Sequence, residues 1–595
     1  MSRSTMNHCD VAALVVGAGP TGLTMASELQ RHGMGCRIID RLPQPSRVSK
    51  ALGIQARTLE LLEKMGIVDA FLTKGVQLHT VNIYGARQRV VRLDMQCVPS
   101  RYPFMLSLPQ WVTEDLLSAH VKQQGIEVER GVSLASLQPV RGGVDVVLEH
   151  GDGRSEQVRT RWLIGCDGPH SAVRHHLGLD FSGSTFDQSF ALADVRMNLS
   201  LPPHEAAFFW RGGDNIACIP LPDDQYRLVI AYRPRTEPHG EVTLEELERA
   251  LAACGWADTK VDDIVWSSRF VVNQRKVHHY RQGSVFLAGD ACHIHSPIGG
   301  QGMNTGIQDA FNLAWKLVLV DSKKARPTVL DSYESERERV GRQLLLGTNL
   351  FARIALLSRS QAVRLRDYMI PLATGIHAVR RRTATLIAQV GVSYRRSPIV
   401  SEYQPDRIIE RLGKRLRRSR ARHAGERAPD MDVVLDGAPT RLHALCLGTR
   451  HVLFFFAHRH SAERSLREWR ETDALLKRQY GDVVEAFLIL PRPPGPADSE
   501  RTRVIYDAQG EIYVTYGVTG DGVVLVRPDG YIGFLCRPAS CDRLRAYLDS
   551  LFSPGPRRWG QLQREVARRA QAAGRRARRG GSVGATPPSW IDLSR

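Results

Sequence analysis

The sequence predicts an α/β chain: a Rossmann-like dinucleotide-binding domain interrupted by an inserted, mainly antiparallel sheet, then a helical segment and a separate C-terminal module. Three observations carry this. VAALVVGAGPTGLTMASELQRHG sets Gly17, Gly19 and Gly22 in a GxGxxG pattern directly after the apolar run Val11 to Val16 and before a helical pattern, the order that a strand, a tight turn and a helix require. From about residue 10 to 182 short apolar strands alternate with helical stretches, as in βαβ units. From 183 to 282 the character changes to strand-like runs broken by Gly, Pro and Asp turns.

The elements follow in order. Gly17 makes the tight turn, Gly19 allows close backbone approach to a pyrophosphate, and Gly22 allows close helix packing. The amides opening the next helix then meet phosphate at the positive end of the helix dipole. A second strand, Cys36 to Ile39, ends at Asp40, about 20 residues on, where a carboxylate accepts from ribose hydroxyls. Lys74 to Arg101 reads as loop-rich. The inserted sheet is expected from Phe190 to Met197, Ala206 to Trp210, Ile216 to Pro220 and Tyr226 to Tyr232. The chain then returns to the first domain (283–395) through the strand Ser284 to Ala288, a Gly-rich loop and a helix near Asn304 to Val320. Residues 327–395 are helix-rich, with Leu344, Leu345, Phe351, Ile354 and Leu357 at helical spacings that suit a packing face. A basic connector (396–429) leads to the C-terminal module (430–552), with strands near Val452 to Ala457, Val484 to Leu490 and Gly522 to Val526. Residues 553–595, rich in Pro, Gly, Arg and Ala, suit a disordered or partly helical arm.

At 595 residues and 43% hydrophobic, the chain is long enough for two to four domains with a large core. No stretch approaches the roughly 18–20 consecutive apolar residues of a membrane span, and the early apolar run carries the glycine fingerprint, a poor fit to a cleaved signal. A cytoplasmic protein is expected. Ten cysteines are scattered without a CxxC pair or zinc spacing, so reduced, mostly buried thiols and no metal site are expected. Of the net charge of +19, Arg557 to Arg579 carries +8 and Arg411 to Arg427 carries +7, leaving about +4 elsewhere. A solvated helix face and a disordered tail explain that distribution better than a polyanion or membrane-surface contact.

Two further motifs lie downstream. WLIGCDGPHSAVR runs from Trp162 to Arg174, and GDACHIHSPIGGQGMNTGIQDAFNLAWK begins at Gly289, about 270 residues from the fingerprint. With GAGPTG they stand in the order found in class A flavin-dependent aromatic monooxygenases, the family of para-hydroxybenzoate and phenol hydroxylases, and the chain resembles that family from residue 10 to about 350 and more weakly to about 550. The resemblance implies FAD, with NADPH or NADH as reducing co-substrate. Asp290 is expected to accept from the ribityl chain; Pro297 to Asn304 seats the flat ring, with Gly302, Met303 and Asn304 opening a helix at its pyrimidine edge. Asp167 is expected to position the pyrophosphate or its loop, and Arg174 either contacts the reductant or pairs with Asp167. Lys50 stands where many relatives have an Arg near the flavin, Gln110 matches the family's flavin-contacting Gln, and Leu52 replaces the acid of phenol hydroxylase. Cys292 is read as a small packing residue. The C-terminal module resembles the thioredoxin-like domain of larger members. Ala457, His458 and Arg459 stand where its CxxC would be, so a structural or oligomer-interface role, including a homodimer, is expected and not disulfide exchange.

By that resemblance NAD(P)H reduces FAD, O₂ adds at the flavin C4a, and the C4a-hydroperoxyflavin hydroxylates a phenolic or polycyclic aromatic substrate ortho or para to its oxygen. Epoxidation, Baeyer–Villiger insertion or oxidative antibiotic inactivation on the same scaffold is the alternative, and a non-catalytic aromatic-binding flavoprotein is a second. None of the nine Trp residues forms a WxWxIP signature, which argues against a halogenase. For substrate, Arg227 and Tyr232 are candidates as anion clamp and phenolic hydrogen-bonder, but their odd separation puts them on opposite faces of a strand. His293 and His295 lie near the ring without a paired acid in the sequence, so no catalytic residue is assigned.

Overall fold

The computed structural model describes residues 10–553, except 47–50, 86–87, 211–214, 233–239, 295–299, 356, 358–359, 405–420, 459–461 and 492–502. Val11–Val16 pairs in parallel with Cys36–Asp40 on one side and Ser155–Gly165 on the other, and Ser155–Gly165 pairs in parallel with Val285–Leu287. The strand expected from the downstream motif thus lies two places from the first strand, in one sheet. Both neighbours bury Val11–Val16, which explains its unbroken apolar run. The helices Pro20–Arg31 and Gly302–Asp321 pack on each other.

The second sheet holds eight strands: His293–Ile294, Val261–Lys276, Ser182–Met197, Gln225–Ala231, Asn215–Pro220, Glu205–Trp210, Thr80–Tyr84 and Arg89–Asp94, in that spatial order. Two of these correct the sequence reading. The stretch taken as loop-rich supplies the strands Thr80–Tyr84 and Arg89–Asp94, the first pairing in parallel with Glu205–Trp210. Arg89–Asp94 buries Val90, Val91 and Leu93 and exposes Arg89, Arg92 and Asp94, and the adjacent buried pair with the charges around it hides the strand period in the linear sequence.

The third sheet is built from the C-terminal module, with His451–Phe456 at its centre, parallel to Val484–Leu490 and antiparallel to Gly522–Val526. All six residues of His451–Phe456 are buried. Its edge corrects a second reading: Ser401–Tyr403, inside the presumed connector, is a strand parallel to Ile532–Cys536. Arg427, counted in a solvated basic run, is buried and pairs with Glu60 at 2.8 Å. The tail beyond 553 lies outside the described residues.

A buried ionic cluster joins the module to the helices of the first domain. Glu336 accepts from Lys316 (2.9 Å), Asn312 (2.6 Å), Ser397 (2.6 Å) and both ends of the Arg527 guanidinium (2.6 and 2.9 Å). Arg527 also grips Asp529. Burial works against every charge here, but Arg527 and Lys316 outweigh it and hold the Glu336 carboxyl well below its usual range. Removing one member strands the others without water. Arg527→Ala is therefore expected to cost about 3–5 kcal/mol, read as a lowered denaturant midpoint. Arg161→Ala, at the exposed pair with Asp321, is expected to cost under about 1 kcal/mol. Equal losses in the two variants would contradict this account.

Candidate functional site

Gly17 and Gly22 take the turn and packing geometry that the sequence predicts. Gly17 has φ +100°, and a Cβ there would lie 2.5 Å from the carbonyl oxygen of Cys166. A Cβ on Gly22 would lie 1.8 Å from the Gly17 carbonyl oxygen, so neither position admits a side chain. Gly19 differs: a Cβ there meets nothing within 4 Å. It caps the helix Pro20–Arg31 in extended conformation, and no side chain satisfies that helix start. Open space before unsatisfied amides is what an entering phosphate needs. Asp40 sits beside it, its Oδ2 accepting from the Ala18 amide at 2.7 Å and its Oδ1 from the Leu42 amide at 2.9 Å. It braces the turn, and each oxygen keeps a second lone pair for a further donor.

The two distant glycine motifs meet at Thr21. A Cβ on Gly289 would come within 2.6 Å of Thr21 Oγ1, and one on Gly306 within 2.2 Å. The side chain of the fingerprint helix is thus wedged against both the 289 turn and the helix Gly302–Asp321. Asp290 is exposed in the single turn Gly289–Ala291. Asn304 is fully buried: its Oδ1 accepts from the Gln55 amide at 2.9 Å, and its Nδ2 donates to the carbonyls of Gly53 and Gly300, both at 2.8 Å. Its side chain stitches the helix start to the 53–55 strand, which leaves its backbone for a ring edge. Met303 packs against the main core. Lys50, Pro297 and His295 lie outside the described residues.

Asp167 Oδ2 accepts from the Val173 amide at 3.2 Å, Oδ1 is buried without a partner among the described residues, and burial raises the carboxyl's pKa. Arg174 makes no ion pair with Asp167 among the described residues. Its guanidinium, buried over the Phe181 ring, donates to the carbonyls of Ala291 (3.1 Å) and Pro169 (2.8 Å), tying the second and third motifs together. Cys292 is fully buried, which drives its thiol well above the usual range and suits a packing residue.

Long-range partners of His293 and Gln110 escaped the sequence. His293 is buried with Nε2 2.8 Å from Asp309, which also accepts from the Gly289 amide (2.9 Å) and from Arg337 (2.5 Å). Burial opposes the charge on Asp309, but Arg337 and His293 outweigh it and hold the carboxyl low. The acid missing near His293 in the text is thus 16 residues downstream, where no motif spacing would find it. Gln110 opens the helix Gln110–Gln123, its Oε1 accepting from the Ala51 amide at 3.0 Å and its Nε2 donating to Glu114 at 2.8 Å. Glu114 lies four residues on, a helical pairing visible in the sequence.

The two substrate candidates lie in different surroundings. Arg227 is 1% exposed and holds Asp194 through two bonds of 2.6 and 2.7 Å, so its charge is already neutralised and it is no free anion clamp. Tyr232 packs in the cluster with Leu247 and Leu251 of the helix Leu244–Ala253, on the face opposite Arg227. The opposite-face geometry holds, and the buried Tyr232 hydroxyl has no hydrogen-bond partner among the described residues.

A glycine turn with open space at a bare helix start, an orphaned carboxylate oxygen at Asp167 and a second helix start at Gly302 together form a site that fits a dinucleotide carrying a flat ring. The comparisons specify which. A model described as "FAD binding domain" matches residues 9–348, and one described as "Aromatic-ring hydroxylase, C-terminal" matches 421–555. The chain is 32% identical to 6-methylpretetramide 4-monooxygenase of Streptomyces rimosus, over 90% of this chain and 93% of that one. It is 32% identical to pentachlorophenol 4-monooxygenase of Sphingobium chlorophenolicum, over 88% and 93%. The structure of an anhydrotetracycline hydroxylase from Streptomyces rimosus superposes with a TM-score of 0.69 at 30% identity, covering 91% of this chain and 99% of that one. The chain belongs to the family of FAD-dependent aromatic-ring monooxygenases.

Two variants test the cradle. Gly19→Ala is expected to leave thermal stability of the FAD-free chain within about 1 kcal/mol, since it meets open space, while weakening FAD at least tenfold by flavin absorbance titration. Gly22→Ala is expected to lose both fold and flavin. Unchanged FAD affinity in Gly19→Ala would remove the pyrophosphate from this turn.

Glu114 gives a pH test. Burial raises its carboxyl to about 7, the hydrogen bond from Gln110 only partly opposing. A raised folded-state value means that its contribution to stability is complete below the ordinary carboxylate pKa and is lost as pH rises through about 7. Glu114→Gln, which keeps the acceptor for Gln110, is expected to gain up to about 3 kcal/mol over the parent at pH 8 and nothing near pH 4.5. A gain independent of pH would contradict the assignment.

Proposed function

We propose that this monooxygenase hydroxylates a flat phenolic or polycyclic aromatic compound, ortho or para to an oxygen substituent, with NAD(P)H and O₂ as co-substrates. The observation that carries the reading is where the second sheet meets the flavin elements. Arg227 Nη1 reaches the carbonyl of Ala51 at 3.5 Å, the same residue whose amide is held by Gln110, and Ser107 donates to the Pro220 carbonyl at 2.6 Å. The sheet face that bears Arg227 also bears Phe190, Val229, Ala231 and Phe270, the two Phe rings stacked 5.7 Å apart. That face is mainly apolar around one internally neutralised ion pair, with Ser268 and Asn215 at its flanks, which suits a flat ring system more than a small anion.

Bound FAD supplies the acceptance of two electrons from NAD(P)H and the activation of O₂. The chain's own tasks are narrower. The helix starts at Pro20 and Gly302 present amides to negative charge on the phosphates and the reduced ring. Asp167, Asp290, Gln110 and, by resemblance, Lys50 and Pro297 hold the cofactor. The Asp194–Arg227 pair stiffens the wall, and the aromatic face excludes water so that activated oxygen reaches carbon. Electrophilic transfer then selects the ring carbon of highest electron density.

The relatives support this substrate class, since their names specify pentachlorophenol and 6-methylpretetramide. The nine described cysteines are free thiols, which supports a reducing, cytoplasmic setting. The test is a screen of phenols and polycyclic aromatics for stimulated NAD(P)H oxidation, followed by mass spectrometry under ¹⁸O₂. One labelled oxygen on a ring carbon is the expected result. Label in an ester or epoxide would replace hydroxylation with another transfer, and tight aromatic binding without stimulation would replace catalysis with sequestration.

A further inference from the structure

We propose that the outer face of the helices Ser360–Gly375 and His377–Ile387 is a peripheral docking surface for an anionic lipid bilayer. Both helices pack on the edge strand Arg89–Asp94. Their inner side is pinned there: Arg366, buried, donates to Asp367 at 2.8 Å and to the Trp210 carbonyl at 3.2 Å. The outer side carries apolar groups that the fold leaves in water. Leu365, Tyr368, Met369, Leu372 and Ile376 recur at helical spacing and are 50–68% exposed. Leu346 and Leu350 on the preceding helix and Leu386 on the following one are 60–67% exposed. The sequence led us to expect a packing face in this segment. Leu344, Leu345 and Ile354 are indeed half-buried, but the row beyond them has no cover among the described residues. So extended an exposed apolar face marks an interaction site.

Charge decides its occupant. Between Leu344 and Ile387 the chain has seven arginines and one acid, Asp367, and that acid is taken by Arg366. Arg353, Arg364, Arg380, Arg381 and Arg382 are exposed. Arg381, Arg382, His377, Thr385 and Leu386 line a depression of about 520 Å³, where guanidinium groups stand beside an apolar side chain. A second copy meeting this face across a two-fold axis would set arginines against arginines. An acidic headgroup layer instead accepts the arginines while the leucines enter the acyl boundary, as interfacial helices do. No helix among the described residues is long and apolar enough to cross a membrane, so the contact is peripheral.

The test is co-sedimentation of the full-length, FAD-loaded enzyme with vesicles of mixed phosphatidylglycerol and phosphatidylcholine, and with phosphatidylcholine alone. Binding to the anionic vesicles is expected to be at least about tenfold tighter and to weaken with salt. The double variant Leu372→Ser/Ile376→Ser keeps every charge and is expected to lose about tenfold or more of that binding. The triple variant Arg380→Glu/Arg381→Glu/Arg382→Glu is expected to lose at least as much. Flavin absorbance and thermal midpoint of each variant confirm folding. Failure of the parent to bind anionic vesicles overturns the proposal. So does undiminished binding by the serine variant, which would move the contact to the other basic stretches. A dimer in light scattering that only the serine variant dissociates, with no vesicle binding, would make a second copy the occupant. None of these readouts depends on the substrate.

Discussion

The contact on which this molecule turns is steric. Thr21 occupies the space that side chains on Gly289 and Gly306 would need, and that three-way closeness brings together chain segments separated by nearly half the sequence. Without it the fingerprint helix and the helix Gly302–Asp321 could not sit near enough for one nucleotide to touch both starts. Glycine acts here by absence of bulk at Gly22, Gly289 and Gly306, and by backbone freedom at Gly17. Arg174 and Asp309 then secure the approach with hydrogen bonds, one to carbonyls of the second and third motifs, the other to the Gly289 amide and His293.

A second constraint is electrostatic. Glu336, Lys316, Arg527 and Asp529 are all buried, an arrangement whose gross Coulomb attraction is largely consumed by lost hydration. Its value lies in specificity. An apolar interface of equal area would tolerate sliding of the C-terminal module over the helices, whereas mutually satisfied charges permit a single register. The strand Ser401–Tyr403 and the Glu60–Arg427 pair add separate fastenings at other points of the same boundary.

Much of this was legible in the sequence because it is local. The apolar run before Gly17, the separation to Asp40 and the glycine-rich stretch after Ala288 are short-range signals with fixed geometry, and each element was where its pattern placed it. Long-range partners were not legible. Asp309 beside His293, Asp194 beside Arg227 and Glu60 beside Arg427 come together only after topology is set, and single charges carry no mark of their mates. The same limit hid the strands at 80–94, whose pairing partner lies more than a hundred residues away. Strand parity did separate Arg227 from Tyr232, since that rule needs only the backbone. What parity could not show is the occupancy of each face, such as the Asp194 carboxylate already held by Arg227.

The parallel pairing of Thr80–Tyr84 with Glu205–Trp210 has a consequence for how such enzymes diversify. The sheet proposed as the substrate's wall is woven from two stretches of chain, one on each side of the DGPHS motif, so it is no cassette. A recombination event that exchanged residues 183–282 alone would leave an orphan hairpin facing a foreign edge. Only paired crossovers, or slow point changes along the aromatic face, could carry one lineage to a new ring system with its flavin seat intact.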